Sequence, residues 1–175
     1  MPPSFRAVIF DLDGTLADSL ADIGGAMNEA LAARGLAEHP LASYQHFIGE
    51  GVEVLARRAA PLLDEPQVGR LVDEYRRRYA ARLDSLTRPY DGVGPMLDGL
   101  VAAGLPMAVL SNKREDFTVD LVQRLFSHWP LRPARGERAG VPRKPDPTAA
   151  LEIARSLGVP AAQCAFVGDT AIDMR

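Results

Sequence analysis

The run FRAVIF (5–10) is apolar on four consecutive residues, Ala7 to Phe10, with the β-branched Val8 and Ile9 at its centre, and stops at two aspartates, Asp11 and Asp13. A strand with one wet face alternates apolar and polar residues. An unbroken apolar run is therefore a strand covered on both faces, the kind found in parallel sheets with helices above and below. LPMAVLS (105–111) repeats the pattern, and QCAFVGD (163–169) supplies a third such run. Between them the spacing turns helical. Leu20, Ile23, Met27 and Leu31 fall on one face of a segment closed at Gly35, and GPMLDGLVAAG closes at Gly104. Phe117, Leu121, Val122 and Leu125 share a face of the next helix, and PTAALEIARSLG is a further one. The proline-rich stretch HWPLRPARGERAGVPRKPDP reads as irregular, with room for one short strand.

Strands alternating with helices predict an α/β fold, a Rossmann-like parallel sheet with helices on both faces. The stretch after the first strand departs from that alternation. GVEVLARRAAPLL and EPQVGRLVDEYRRRYAARLDSL continue the helical signal, the second with a stripe of Leu71, Tyr75, Tyr79 and Leu83. Residues 16–87 are thus expected to form an all-helical insertion, with 1–15 and 88–175 as the α/β core. A net charge of −3 over 175 residues gives no reason to expect nucleic acid as a partner. No apolar run approaches the roughly 20 residues that cross a bilayer, so no membrane is expected either. Cys164 is the sole cysteine, read as a buried small hydrophobe, and the three histidines lack metal-ligand spacing. A cytoplasmic monomer or homodimer is the expectation.

In an open parallel sheet, sites form at the carboxyl ends of the strands. Asp11 and Asp13 end the first strand, Ser111 and Asn112 the second, and Asp169 the third, so polar side chains converge on one crevice. Three carboxylates together call for a cation, and an oxygen-only donor set suits Mg²⁺ completed by a substrate phosphate. Asp173 would lie one turn beyond Asp169 if a helix starts there, as a further ligand or as an anchor behind the ligands. Ser111 and Asn112, placed where a helix begins, could hold phosphate oxygens. Lys144, in the turn RKPDP, offers a mobile point charge. Asp11 at the strand tip could attack phosphorus, and Asp13 could protonate the leaving alcohol and then activate water. Lys113, the only other lysine, is read as exposed.

DLDGT, LSN, RKPDP and VGDTAID, in that order, resemble the four motifs of the haloacid dehalogenase-like hydrolases. The resemblance implies Asp11 as nucleophile and Asp13 as general acid/base. It implies Mg²⁺ ligands from the Asp11 side chain, the Asp13 backbone carbonyl and Asp169, and phosphate binding by Ser111 and Lys144. The helical insertion resembles a cap, in which Gly49, Glu50 and Gly51 would meet the substrate. FIGEGVEVLARRA, RPYDGV and SNKRE look most like the phosphoglycolate phosphatases. The expected function is Mg²⁺-dependent hydrolysis of a small-molecule phosphate ester through an aspartyl phosphate. The alternatives are a phosphosugar mutase of the same fold and a non-catalytic phospho-aspartate switch. The family core normally continues past its fourth motif, whereas this sequence stops at Arg175. A core lacking its C-terminal part is the further expectation, and a truncated inactive remnant is a further alternative.

Overall fold

The computed structural model describes residues 5–175. The described residues form two compact units, 5–17 with 89–175 and 18–88.

In the first unit, strand β1 (Ala7–Phe10) emerges where the apolar run predicts it, and all four of its residues are buried. The chain leaves this unit through β2 (Ala17–Asp18). In the helical unit it forms α1 (Leu20–Ala32), a 3-10 turn (Leu41–His46), α2 (Val52–Ala59) and α3 (Glu65–Arg82), then returns through β3 (Arg88–Pro89). The α2 helix stops short of its predicted extent. Ala60 precedes Pro61, and the residue before a proline is pushed out of the helical region; Ala60 sits at φ −141° and ψ 71°. The α3 helix starts on a reciprocal cap: Asp64 accepts from the Gln67 N–H, and the Gln67 side chain accepts from the Asp64 N–H. Leu71, Tyr75, Tyr79 and Leu83 are buried as the stripe requires, with the two tyrosine rings stacked 5.5 Å apart.

Back in the first unit come α4 (Val93–Ala102), β4 (Met107–Arg114), α5 (Glu115–Phe126), β5 (Leu131–Glu137), α6 (Thr148–Ser156) and β6 (Cys164–Val167). The sheet is parallel in the order β5-β4-β1-β6, with Val8 beside Met107 and Ala165, and Ile9 beside Ala108 and Phe166. The α6 helix buries Ala149 and Ile153 against Ile9, Ala108 and Leu110.

Four local expectations need correction. The proline-rich stretch holds a full seven-residue strand, β5, rather than a short one. Ser111 and Asn112 do not begin a helix. Beyond a register shift, β4 stays paired to β5 as far as Arg114 and Glu137, so α5 starts only at Glu115. Residues 171–174 form turns rather than a helix, and the Thr170 N–H and hydroxyl both bond to Asp173 Oδ2 at 3.0 and 2.6 Å. Cys164 is half-buried rather than fully buried, on the outermost strand of the described sheet.

Candidate active site

A parallel sheet brings the carboxyl ends of its strands to one edge. Asp11 follows β1 directly and is buried. Lys144 reaches it from the loop before α6, its Nζ 2.8 Å from Asp11 Oδ1 and 2.7 Å from Asp173 Oδ1. Burial pushes the Asp11 carboxyl up to about 6, although the Lys144 ammonium opposes the shift. Burial also pushes Asp173 upward, but the hydrogen bonds from Lys144 and Thr170 outweigh it and hold this carboxyl below its ordinary value. One buried lysine therefore balances two carboxylates.

Asp11, Asp169 and Asp173 each place one carboxylate oxygen within 4.8 Å of the others. Asp169 is aimed by Thr15, whose hydroxyl donates to its Oδ1 at 2.9 Å. Gly14 makes room for it. This residue turns at φ +86°, and a Cβ there would lie 2.3 Å from Asp169 Oδ2. The fit to a divalent cation rests on two observations. The donors are all hard oxygens, as Mg²⁺ prefers. Asp11 Oδ1 also faces an ammonium yet accepts no well-aligned hydrogen bond, which leaves lone-pair capacity on a buried atom. The Asp13 carboxylate is not one of this group, whereas the Asp173 carboxylate is.

The phosphate-binding candidates divide. Lys144 is in place. Ser111 is buried, its Oγ accepting from the Lys113 N–H at 3.2 Å. The side-chain amide of Asn112 is engaged at both ends by the Lys144 backbone: it donates to the carbonyl at 3.1 Å and accepts from the N–H at 2.9 Å. Asn112 thus holds the lysine rather than offering its amide to a ligand.

Lys113 overturns its expectation. Its side chain is only 7% exposed, and its Nζ lies 2.9 Å from Asp13 Oδ2. Lys113 lies between Leu110 and Arg114, where the pairing of β4 with β5 shifts register, and periodicity in the sequence gives no sign of that irregularity. Gly49, Glu50 and Gly51 belong to the helical unit, where Gly51 precedes α2. Arg58 grips their loop by bonding to the Glu50 carboxylate and to the carbonyls of His46 and Phe47. Sequence spacing carried no sign of that grip.

Residues 8–175 match the family model described as haloacid dehalogenase-like hydrolase. A phosphoglycolate phosphatase of Xylella fastidiosa (strain 9a5c) is 38% identical over 172 residues, covering 97% of this chain and 74% of that protein. One from Agrobacterium fabrum (strain C58) is 33% identical, covering 98% and 76%. A crystal structure of a candidate phosphoglycolate phosphatase from Lactobacillus delbrueckii subsp. bulgaricus superposes with a TM-score of 0.92 at 29% identity, covering 98% of this chain and 81% of that one. A haloacid dehalogenase-like family protein from Streptococcus pneumoniae shares the fold with a TM-score of 0.86 at 22% identity, covering 99% and 80%. Among the described residues, no helix is long and apolar enough to cross a membrane.

Proposed function

Because this chain belongs to the haloacid dehalogenase-like hydrolases, we propose that it is a phosphatase for small phosphate monoesters, with 2-phosphoglycolate as the first substrate to test and Asp11 as the nucleophile. The observation that carries this reading is Asp11 itself, a buried carboxylate at a strand end, faced by Lys144 and grouped with Asp169 and Asp173. A carboxyl that titrates near 6 is ionised at neutral pH and available to attack.

In the first step Asp11 attacks phosphorus, forming an acyl phosphate as the bond to the leaving oxygen breaks. Asp13 gives that oxygen its proton. In the second step Asp13 takes a proton from water, whose oxygen attacks the same phosphorus, and the bond to Asp11 breaks to release inorganic phosphate. The Lys144 ammonium and the Ser111 hydroxyl hold phosphate oxygens, with Asn112 fixing the lysine's backbone. Asp11, Asp169 and the Asp13 carbonyl are the proposed holders of Mg²⁺, with Asp173 beside them. When bound, that ion supplies positive charge against the charge gathered on phosphate and carboxylates. The helical unit, 18–88, takes the part of a cap, in which Gly49, Glu50 and Gly51 select the substrate. Support for this part comes from the Arg58 grip, which spends a cation on fixing the shape of that loop.

The experiment is phosphate release from 2-phosphoglycolate, sugar phosphates and p-nitrophenyl phosphate, with and without Mg²⁺, for the wild type and Asp11→Asn. Turnover that needs Mg²⁺ and disappears in the variant is the expected result. No turnover from folded wild-type chain, or full turnover by Asp11→Asn, refutes the proposal.

A further inference from the structure

Lys113 and Lys144 are the only lysines in a chain whose other basic side chains, histidine aside, are all arginine. Both are buried in the same site, with side chains 7% and 6% exposed, and each faces one member of the Asp11–Asp13 pair. A compact ammonium can sit on a single carboxylate oxygen, where a planar guanidinium would need a wider berth. The use of lysine at these two positions and nowhere else therefore matches the space available between close carboxylates. Lys144 already has its part beside Asp11. Lys113 does not.

We infer that Lys113 is a positioning residue for Asp13, its ammonium facing Oδ2 so that the carboxyl group is held with its other oxygen, Oδ1, carrying the proton to the leaving alcohol. The inference rests on the proposed role of Asp13 as proton carrier. Its structural basis is the way Lys113 is itself fixed. The Lys113 N–H donates to Ser111 Oγ at 3.2 Å, and its carbonyl accepts from Thr118 Oγ1 at 3.2 Å. The neighbouring strand comes so close that a Cβ at Gly136 would lie 2.5 Å from that carbonyl oxygen. A lysine with its backbone tied on several sides and its stem buried has few conformations left, and its Nζ ends 2.9 Å from Asp13 Oδ2. A lysine that merely carried surface charge would need none of this.

The position makes a chemical prediction. An alkyl phosphate loses a poor leaving group that must be protonated as it departs, whereas p-nitrophenolate leaves without a proton. The value of kcat/KM reports events up to departure of the alcohol, so it isolates the step in which Asp13 acts as acid. Lys113→Met is expected to lower kcat/KM for ethyl phosphate by about tenfold to a hundredfold, part of what a general acid supplies. For p-nitrophenyl phosphate it should change little. In an Asp13→Asn background the same substitution should have no further effect, because it acts through the missing carboxylate. Equal losses on the two esters, or an undiminished effect in the Asp13→Asn background, overturn the inference. Should Lys113→Met not fold, Lys113→Arg keeps the charge but not its compactness and is read against the same two esters.

A crystal structure of Lys113→Met separates this inference from the phosphatase reading. If the wild type hydrolyses nothing, the proposed function falls. If the Asp13 carboxylate keeps its wild-type position without the ammonium, the positioning claim falls, whatever the turnover.

Discussion

An inserted unit must hold together the two places where its chain departs and returns, and here one buried carboxylate does so. Asp22, in the first turn of α1, is fully buried. Its Oδ2 accepts from the Leu86 N–H at 2.9 Å, the Thr87 N–H at 2.8 Å and the Thr87 hydroxyl at 2.7 Å, while Arg82 Nε lies 3.5 Å from Oδ1. Asp22→Ala leaves these donors facing a cavity. The Thr87 hydroxyl can rotate to another acceptor, but two backbone N–H groups cannot. At about 1–3 kcal/mol for each unsatisfied donor, the loss from these two comes to roughly 2–6 kcal/mol. Asp22→Asn can keep its carbonyl oxygen in the Oδ2 position and should cost less than half as much. Urea unfolding followed by circular dichroism at 222 nm measures both variants. The pH dependence has a definite sign. Burial pushes the Asp22 carboxyl up, but the hydrogen bonds from Thr87, Leu86 and Arg82 outweigh it and hold it below its ordinary value. The native state thus favours the ionised form. That contribution is complete above the unfolded carboxyl value near 4 and is lost as pH falls through the lower native value. The gap between wild type and Asp22→Asn should be flat above about pH 5 and close below about pH 4. A loss under about 1 kcal/mol for Asp22→Ala, or equal losses for the two variants, would refute the accounting.

Other substitutions probe the site and its frame. Gly14→Ala forces a Cβ onto Asp169 and strains a residue at φ +86°. It should cost about 1–2 kcal/mol for the backbone alone and, by displacing Asp169, lower phosphate turnover by about a hundredfold, read by thermal melting and phosphate release. Lys144→Met leaves Asp11 and Asp173 buried without their shared ammonium. A loss of about 3–5 kcal/mol in urea at pH 8 is expected, and a loss below 1 kcal/mol would mean the pair is not held as described. Asp64→Ala removes the reciprocal cap of α3 and should cost about 1 kcal/mol in the same assay.

The residues that were legible in sequence and those that were not differ for a physical reason. β1 showed itself because both its faces meet apolar neighbours, so every residue in it carries the signal. Asp11 and Asp169 were placed by the same logic, since strand ends in a parallel sheet share an edge. The α3 stripe was visible because helical periodicity survives many arginines on the wet face. β5 was hidden by Pro133, Gly136 and two arginines, residues that break the apolar pattern although the strand pairs along β4. The far end of β4 was hidden in a more instructive way. Ser111 and Asn112 read as the place where a helix begins, because a run of polar residues ordinarily marks the end of a buried strand. Here the strand continues into a crevice that is itself polar. Past the register shift its side chains meet carboxylates instead of a core. Hydropathy cannot report such a strand, since its partners are charges. Only the pairing of Arg114 with Glu137 shows that the strand runs on, and that extension carries Lys113 to Asp13.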